Sequence, residues 1–469
     1  MKNNYTISIK SSFLLKHKLL LIILLFLNSN IFSQCWDKIS SEAGHTHAIL
    51  SNGTLWAWGD NSSAQLGIGQ VGSNIINPIQ VGTDTNWLSV ASGYTFVVAL
   101  KTNGTLWAWG SNQYGQIGDG TNFIRWTPVQ VGTDSNWMSI SAGDNHVVAL
   151  KTDGTLWVWG RNEWGQLGDN TTNNKNTPTQ IGTATDWAKI DSGSLHSGAI
   201  KSNGTLWLWG RNNLGQLGDG TNIGKLVPTQ IGTGNNWLNI NLGARHSAAT
   251  KTDGTLLTWG ENDKGQLGIS NNTNTNVPTQ VGNETDWLKV SLGTSFTIAI
   301  KTTGSLWTWG RNTEGQLGLG NFTNFNSPQQ IGTATNWVEI NAGLVSTFAI
   351  KSDNTLWACG SNQSHVLSQP ESSSLFSNIF SIGCENLSID DFILKEISIY
   401  PNPSKNIIYI KSYDYQNFEI EVFDAFGNQL AYQKESNKID VTNLSSGLYF
   451  ISIKDSERKL QTIKKFIKQ

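Results

Sequence analysis

Imidazoles and thiolates are the side chains best suited to hold a transition metal or to move a proton near neutral pH, and the 469-residue chain carries seven histidines and three cysteines. Four histidines, His47, His146, His196 and His246, are read as sharing one position of an internal repeat, while Phe96, Phe296 and Ser346 hold that position in other copies. A metal ligand or general base does not exchange imidazole for phenyl; a packing position does. Asp119, Asp169 and Asp219 follow Gly-Gln-Leu/Ile-Gly, where a carboxylate stabilises a turn by accepting from nearby backbone N–H groups. The glycine-patterned acidic loop of a calcium site is missing, as are a Gly-x-Ser-x-Gly elbow and a His-Glu-x-x-His pair. The sequence therefore assigns no catalytic residue, no metal and no cofactor, and an enzyme is not expected.

The elements that would carry such residues are set by a repeat. The stretch DGTLWVWGRNEWGQLGD, residues 153–169, packs three tryptophans and four glycines together, and alone it suggests a loop that cradles an anion. Its core, Gly-Thr-Leu-Trp, recurs at Gly53, Gly104, Gly154 and Gly204, with variants at Gly254, Gly304 and Asn354, spaced 51 residues once and 50 thereafter. Each unit holds about four short segments rich in β-branched and aromatic residues, bounded by Gly, Asn, Asp or Pro, which predicts four strands. Seven such units from Trp36 to Gly383 predict an all-β fold, a seven-bladed β-propeller. Nineteen of the 21 tryptophans fall on three frame positions, as Trp137, Trp157 and Trp159 do in the third unit. A chemical role would need one loop, whereas packing needs every blade, so the indoles and glycines are assigned to the interior.

Only 14% of residues are charged and the net charge is −2, which gives no reason to expect nucleic acid or an anionic membrane as partner. At the N-terminus, Lys10, Lys16 and Lys18 precede an apolar run from Leu19 to Leu27, followed by Ile31-Phe32-Ser33-Gln34. That is the layout of a secretory signal over residues 1–34, too short to span a bilayer. No transmembrane helix is expected in the mature chain.

Cys359 stands where six other units have Trp and is read as a small buried hydrophobe. Cys35 precedes the first unit and Cys384 follows the last; their interior equivalents, Asn336 and Thr333, are three residues apart. Ring closure would bring Cys35 and Cys384 within about 10 Å by chain reach, near the ~5.5 Å a disulfide prefers. A Cys35–Cys384 disulfide across the 35–384 propeller is therefore predicted, as an exported compartment permits.

The string Ala/Ser-Gly-x-x-His…Asp-Gly-Thr-Leu-Trp-x-Trp-Gly-x-Asn-x-x-Gly-Gln-Leu-Gly, recurring in frame over residues 36–383, resembles the repeat of the regulator of chromosome condensation family. The resemblance implies a seven-bladed propeller. It also raises guanine-nucleotide exchange, but the family's projecting wedge and basic tail have no counterpart here, and exchange is set aside.

After a linker at 385–396, period-two alternation of Phe418, Ile420 and Val422, then Tyr449, Ile451 and Ile453, predicts a small antiparallel β-sandwich over 397–469. Tyr400-Pro401-Asn402-Pro403, Asp424 to Gly427, Gly447-Leu448-Tyr449 and the basic ending around Lys465 resemble the sorting domain (type A) of the type IX secretion system of Bacteroidota. The resemblance implies export to the cell surface or medium, with the secretion machinery as partner.

Function is expected where the frame is broken. Trp126 and Trp164 are the two off-frame tryptophans, and Arg125, Arg161 and Arg211 vary between units. Exposed aromatics beside arginines anchor many interfaces, so these five are the candidate ligand contacts of a monomeric, non-enzymatic scaffold for an extracellular protein or glycan.

Overall fold

The computed structural model describes residues 35–368, 373–380, 397–412, 418–424, 429–454 and 461–469. They divide between two compact units, one within 34–384 and one containing 385–469. The predicted signal over 1–34, the linker 385–396, Cys384 and Gly427 lie outside the described residues.

The first unit is a ring of seven antiparallel four-stranded sheets, each made from one continuous stretch of chain. In blade 3 the strands are Trp137–Ala142, His146–Lys151, Leu156–Gly160 and Lys175–Gln180. The second strand is buried along its whole length and the fourth is half exposed, so burial falls from the inner strands to the rim. Pro178 sits in that outer strand, where an absent N–H costs no ladder bond. The recurring Asp-Gly-Thr-Leu-Trp explains the turn between the second and third strands. Gly154 takes φ +77°, which L side chains resist. Asp153 accepts from the Thr155 N–H at 3.0 Å and hydroxyl at 2.7 Å, and Thr155 Oγ1 in turn accepts from the Trp157 indole at 2.8 Å.

Blades are joined by the other third-strand tryptophan. Trp159 Nε1 donates to the backbone carbonyl of Gln116 in the preceding blade at 2.9 Å, and Trp109, Trp209, Trp259 and Trp309 repeat the bond to Gln65, Gln166, Gln216 and Gln266. Glycine lies beneath each of these five rings: a Cβ at Gly168 would stand 2.7 Å from Nε1 of Trp209. The ring closes with the same bond, from Trp58 of blade 1 to the Val366 carbonyl of blade 7 at 2.7 Å, supported by Thr46 to the same oxygen at 3.3 Å. Trp36, Trp58, Phe348 and Leu356 share one core cluster across this seam. Blade 7 replaces the indole by Cys359, which is buried and free and directs Sγ–H to Gln316 O at 3.4 Å. Phe376 fills the space left, meeting Trp337 edge-on at 5.4 Å between centroids.

Strand register corrects one frame assignment. His45, not His47, pairs with Gly59 as His146 pairs with Gly160. Blade 1 turns between its first two strands through Ala43 and Gly44, with Glu42 facing His45, so matching on Gly-x-x-His slides the histidine by two residues. His47 is buried on the same strand, edge-on to Trp109 at 5.7 Å.

The second unit packs a three-stranded sheet (Ile397–Tyr400, Ile407–Ser412, Lys438–Asp440) and a four-stranded sheet (Gln429–Ser436, Phe418–Phe423, Gly447–Lys454, Gln461–Lys468) around Ile408, Ile420, Val422, Ile451 and Phe466. Tyr449 stacks on Phe466 at 5.5 Å and donates to Ser445 O at 2.8 Å. Tyr400-Pro401 and Asn402-Pro403 are both cis. Asn402 Oδ1 accepts from Ile467 N at 3.0 Å, and Ser404 N donates to Ile467 O at 2.9 Å, so the Tyr-Pro-Asn-Pro segment holds the last strand. Lys465 lies on that strand opposite Phe450, and Asp424 follows the strand ending at Phe423.

Trp209→Ala removes a fully buried indole and its joint; a loss of about 3–5 kcal/mol is expected in urea unfolding. Trp207→Leu, which blade 5 already carries as Leu257, should cost about 1–2 kcal/mol. Equal losses would contradict the joint.

Candidate functional site

The repeated histidines are joints, not ligands. His146 Nε2 lies 2.9 Å from Ser197 Oγ of the next blade, and Ser197 donates to Gln166 O at 2.8 Å. Because the hydroxyl proton is spent on that carbonyl, the imidazole supplies Nε2–H and stays neutral. His196 with Ser247 and His246 with Thr297 repeat the arrangement at 3.0 and 3.2 Å. Burial pushes His146, His196 and His246 down to about 3 and His45 down to about 4. No group of three His, Cys, Asp or Glu among the described residues is placed to hold a metal.

On the face carrying the connections between first and second strands and between third and fourth strands lies a small well. Gly143, Gly193, Gly243 and Gly293 line it with Asp144, Ser194, Thr294 and Glu42. Sterics select those glycines: a Cβ at Gly143 would stand 2.7 Å from His146 Nδ1, and one at Gly93 would stand 2.7 Å from the Gly143 carbonyl. Burial, reinforced by Asp144, pushes the Glu42 carboxyl up to about 8. Burial also raises Asp144, against a hydrogen bond from Ser194 and the charge of Arg161.

Around the well the off-frame residues form a ledge across blades 2 to 4. The Arg211 guanidinium lies 4.7 Å over the Trp164 ring, and Arg161 lies 5.0 Å over Tyr114. Glu163 pairs with Arg161 and accepts from Trp164 Nε1 at 3.1 Å; Arg211 Nε donates to Asn213 at 2.8 Å. Trp164 remains 42% exposed, so its ring is held in place yet accessible. Arg161, Arg211 and Trp164 are thus brought together. Trp126 is 49% exposed in the outer strand of blade 2, where its carbonyl accepts from Gly69. Arg125 beside it turns to Asp119, with Nε 2.6 Å from Oδ2, which makes it part of a turn. Comparison of the units does not single out Tyr114, Glu163 or the acidic pair of the well; Tyr114 is detectable as the counterpart of Trp164 one unit earlier.

The fold defines a seven-bladed β-propeller, with the Arg211–Trp164 and Arg161–Tyr114 pairs on loops that follow third strands. The chain belongs to the RCC1-like domain family, whose model matches residues 27–333, more than half of its length. That match ends before blade 7, where Asn354, Cys359 and Val366 depart from the repeat. Residues 398–469 match the secretion system C-terminal sorting domain, the type IX sorting tail that marks the chain for export to the cell surface or medium. Among relatives, the chain is 33% identical over 89 residues to the probable E3 ubiquitin-protein ligase HERC6 of Homo sapiens, covering 19% of this chain and 9% of that protein. It is 33% identical over 93 residues to the ultraviolet-B receptor UVR8 of Arabidopsis thaliana, covering 19% and 20% respectively. The chain thus spans a fifth or less of these relatives' lengths. Solved structures alike in fold include human WBSCR16 (TM-score 0.63, 20% identity, covering 70% of this chain and 94% of that one) and Prp20p of Saccharomyces cerevisiae (TM-score 0.63, 18% identity, covering 74% and 88%). No helix among the described residues is long and apolar enough to cross a membrane.

For the joint histidines, folded values near 3 lie below the unfolded value near 6.5. The unfolded chain binds more protons in that window, so their contribution is complete above pH 6.5 and declines as pH falls. Glu42 and Asp191, raised to about 8 and about 6 mainly by burial, act in the opposite sense, so the comparison must be between variants. His246→Phe, copying Phe296 beside Thr347, should flatten the stability profile below pH 6.5 by about 1.4 kcal/mol per pH unit. A profile parallel to wild type in urea titrations at pH 5 to 7 would contradict neutral joints.

Proposed function

We propose that the exported propeller is a non-enzymatic scaffold that binds an extracellular protein or glycan through the ledge of Arg161, Trp164 and Arg211, with Trp126 as a secondary contact on the rim. The observation that carries this reading is the Arg211–Trp164 stack. An indole fixed by a cation on one side and by Glu163 at its N–H loses little side-chain entropy on binding, which is the property of an interface anchor. The joints favour rigid presentation, because neighbouring blades are tied by buried hydrogen bonds such as Trp159 to Gln116 O and Ser197 to Gln166 O. Prp20p has binding properties toward Gsp1p and histones; the present chain, with its sorting tail, is proposed to use the shared fold for different partners outside the cell.

Three further proposals belong to delivery. Residues 1–34 act as a secretory signal. The sorting tail is read by the type IX machinery through the sandwich whose last strand Tyr400 to Pro403 hold in place. Cys35 is proposed to pair with Cys384, tying the two ends of the ring, whereas Cys359 is buried and free.

On arrays of glycans and surface proteins, purified residues 35–384 should capture a partner, and Trp164→Ala or Arg211→Ala should weaken capture at least about tenfold, as for an anchor. Unchanged capture by both variants would reject the ledge. A reporter fused to residues 385–469 should be exported, and one lacking the last ten residues, which removes Phe466 and the whole final strand, should not; equal export would reject the sorting assignment. Non-reduced peptide mass spectrometry should find Cys35 linked to Cys384, and free thiols at both would refute the bridge.

A further inference from the structure

Five arginines lie among the described residues, and four of them have a carboxylate partner. Arg125 pairs with Asp119, Arg161 with Glu163, Arg245 with Glu261 and Arg311 with Glu314. Arg211 has none. Arg161, Arg211 and Arg311 share one frame position directly after Trp-Gly, and blade 3 places an acid two residues on, at Glu163, while blade 6 places one three residues on, at Glu314. Blade 4 carries Asn213 and Leu214 at those positions, so the acid that balances its sister arginines is missing. Asn213 Oδ1 accepts from Arg211 Nε at 2.8 Å, and the guanidinium makes no other hydrogen bond or ion pair among the described residues. Its two terminal nitrogens are therefore unused, while the stack over Trp164 at 4.7 Å fixes the plane of the fork. Such a fork takes a carboxylate through two parallel bonds. Arg211 is also half-buried, which strengthens the pair over one in bulk water.

What surrounds the fork is apolar. A Cβ on Gly165, the residue after Trp164, would collide with Leu226 Cδ2 of blade 4, so Leu226 borders the indole. Asn212, next to Arg211, donates to the Ile223 carbonyl at 3.2 Å, and Ile223 is 69% exposed. Neighbouring joints do not repeat the arrangement. The residues at the places of Trp164 and Leu226 are Tyr114 and Asn176 between blades 2 and 3, Leu214 and Asn276 between blades 4 and 5, and Lys264 and Asn326 between blades 5 and 6. Glu163 is engaged by Arg161 and the Trp164 N–H, and Asn213 by Arg211. A sugar ring needs several hydrogen-bond partners along its edge, whereas the ledge offers one open fork among aliphatic side chains. A peptide with a carboxylate beside an aliphatic side chain meets both features.

We infer that the ledge binds an acidic residue of a protein partner, its carboxylate on the terminal nitrogens of Arg211 and a neighbouring aliphatic side chain against Trp164, Leu226 and Ile223. The inference rests on the reading of the ledge as the binding site and commits that site to one class of partner.

The test is NMR titration of the full chain, read at the Arg211 Nε–H and Trp164 Nε1–H signals, with millimolar N-acetyl-Leu-Glu-Leu-amide, the same peptide with Gln for Glu, and methyl glucuronide. The Glu peptide should shift both signals and bind at least about tenfold more tightly than the Gln peptide or the glucuronide, the scale of a charge-assisted pair. Two variants on the exposed loop accompany wild type. Asn213→Glu gives Arg211 the internal partner that blade 3 gives Arg161 and should weaken the Glu peptide at least about tenfold; Asn213→Gln adds no charge and should retain it. No shift at the two signals, equal binding of the Gln peptide, or indifference to Asn213→Glu would overturn the inference. Glucuronide binding as tight as the Glu peptide would overturn it in favour of an acidic glycan. Array capture that depends on Trp164 and Arg211 yet is unchanged by Asn213→Glu would leave the scaffold reading standing and this inference refuted.

Discussion

Everything in the propeller depends on one carbonyl per blade. The residue at the Gln position of Gly-Gln-Leu-Gly turns its backbone oxygen toward the next blade, where the third-strand indole donates to it in six joints and the Cys359 thiol in the seventh. At five joints the second lone pair is also used, by Thr46, Ser197, Ser247, Thr297 or Thr347. A carbonyl has two lone pairs, and filling both between two rigid sheets fixes spacing as well as orientation. The histidines, the left-handed glycines beneath the indoles and the glycines of the well follow from how closely this bond draws neighbouring blades together.

Much of this is legible in the sequence because the chain repeats. Comparison between units separates residues that every blade needs from those that one blade has, which assigns the framed indoles to the interior and Trp164 to the surface. The comparison fails where two units reach the same geometry by different turns. It selects His47 over His45 because the tight Ala43-Gly44 turn places a glycine two positions later in the frame. It also misses partners that vary together in neighbouring units: His146 faces Ser197, whereas Phe96 faces Val147, and only the strand register aligns such pairs. Phe376 compensating for Cys359 is beyond reach for the same reason, since the two residues are joined by packing and by no shared motif. Arg125, a candidate contact by its variability, varies with Asp119 as a turn-stabilising pair.

A scaffold built this way separates stability from recognition. Buried hydrogen bonds tie adjacent blades, and the lysines that end the second strands of blades 2 to 7 lie over two indoles or one, as Lys151 and Lys251 do. Loop residues can then change without disturbing the ring, which explains how a family fold recognisable over residues 27–333 can coexist with a ledge of Arg161, Trp164 and Arg211 on two neighbouring blades. The sandwich follows the same economy on a smaller scale, with Tyr449 and Phe466 in its core and Asn402 clasping its last strand.

Closure of the ring through these indole bonds can be read from hydrogen exchange at the indole N–H groups in assigned NMR spectra. Slow exchange is expected for Trp58, Trp109, Trp159, Trp209, Trp259 and Trp309 alike, with rapid exchange at exposed Trp126. Fast exchange at Trp58 while the other five stay protected would mean that the seam between blades 7 and 1 is open, and the closed ring would have to be abandoned.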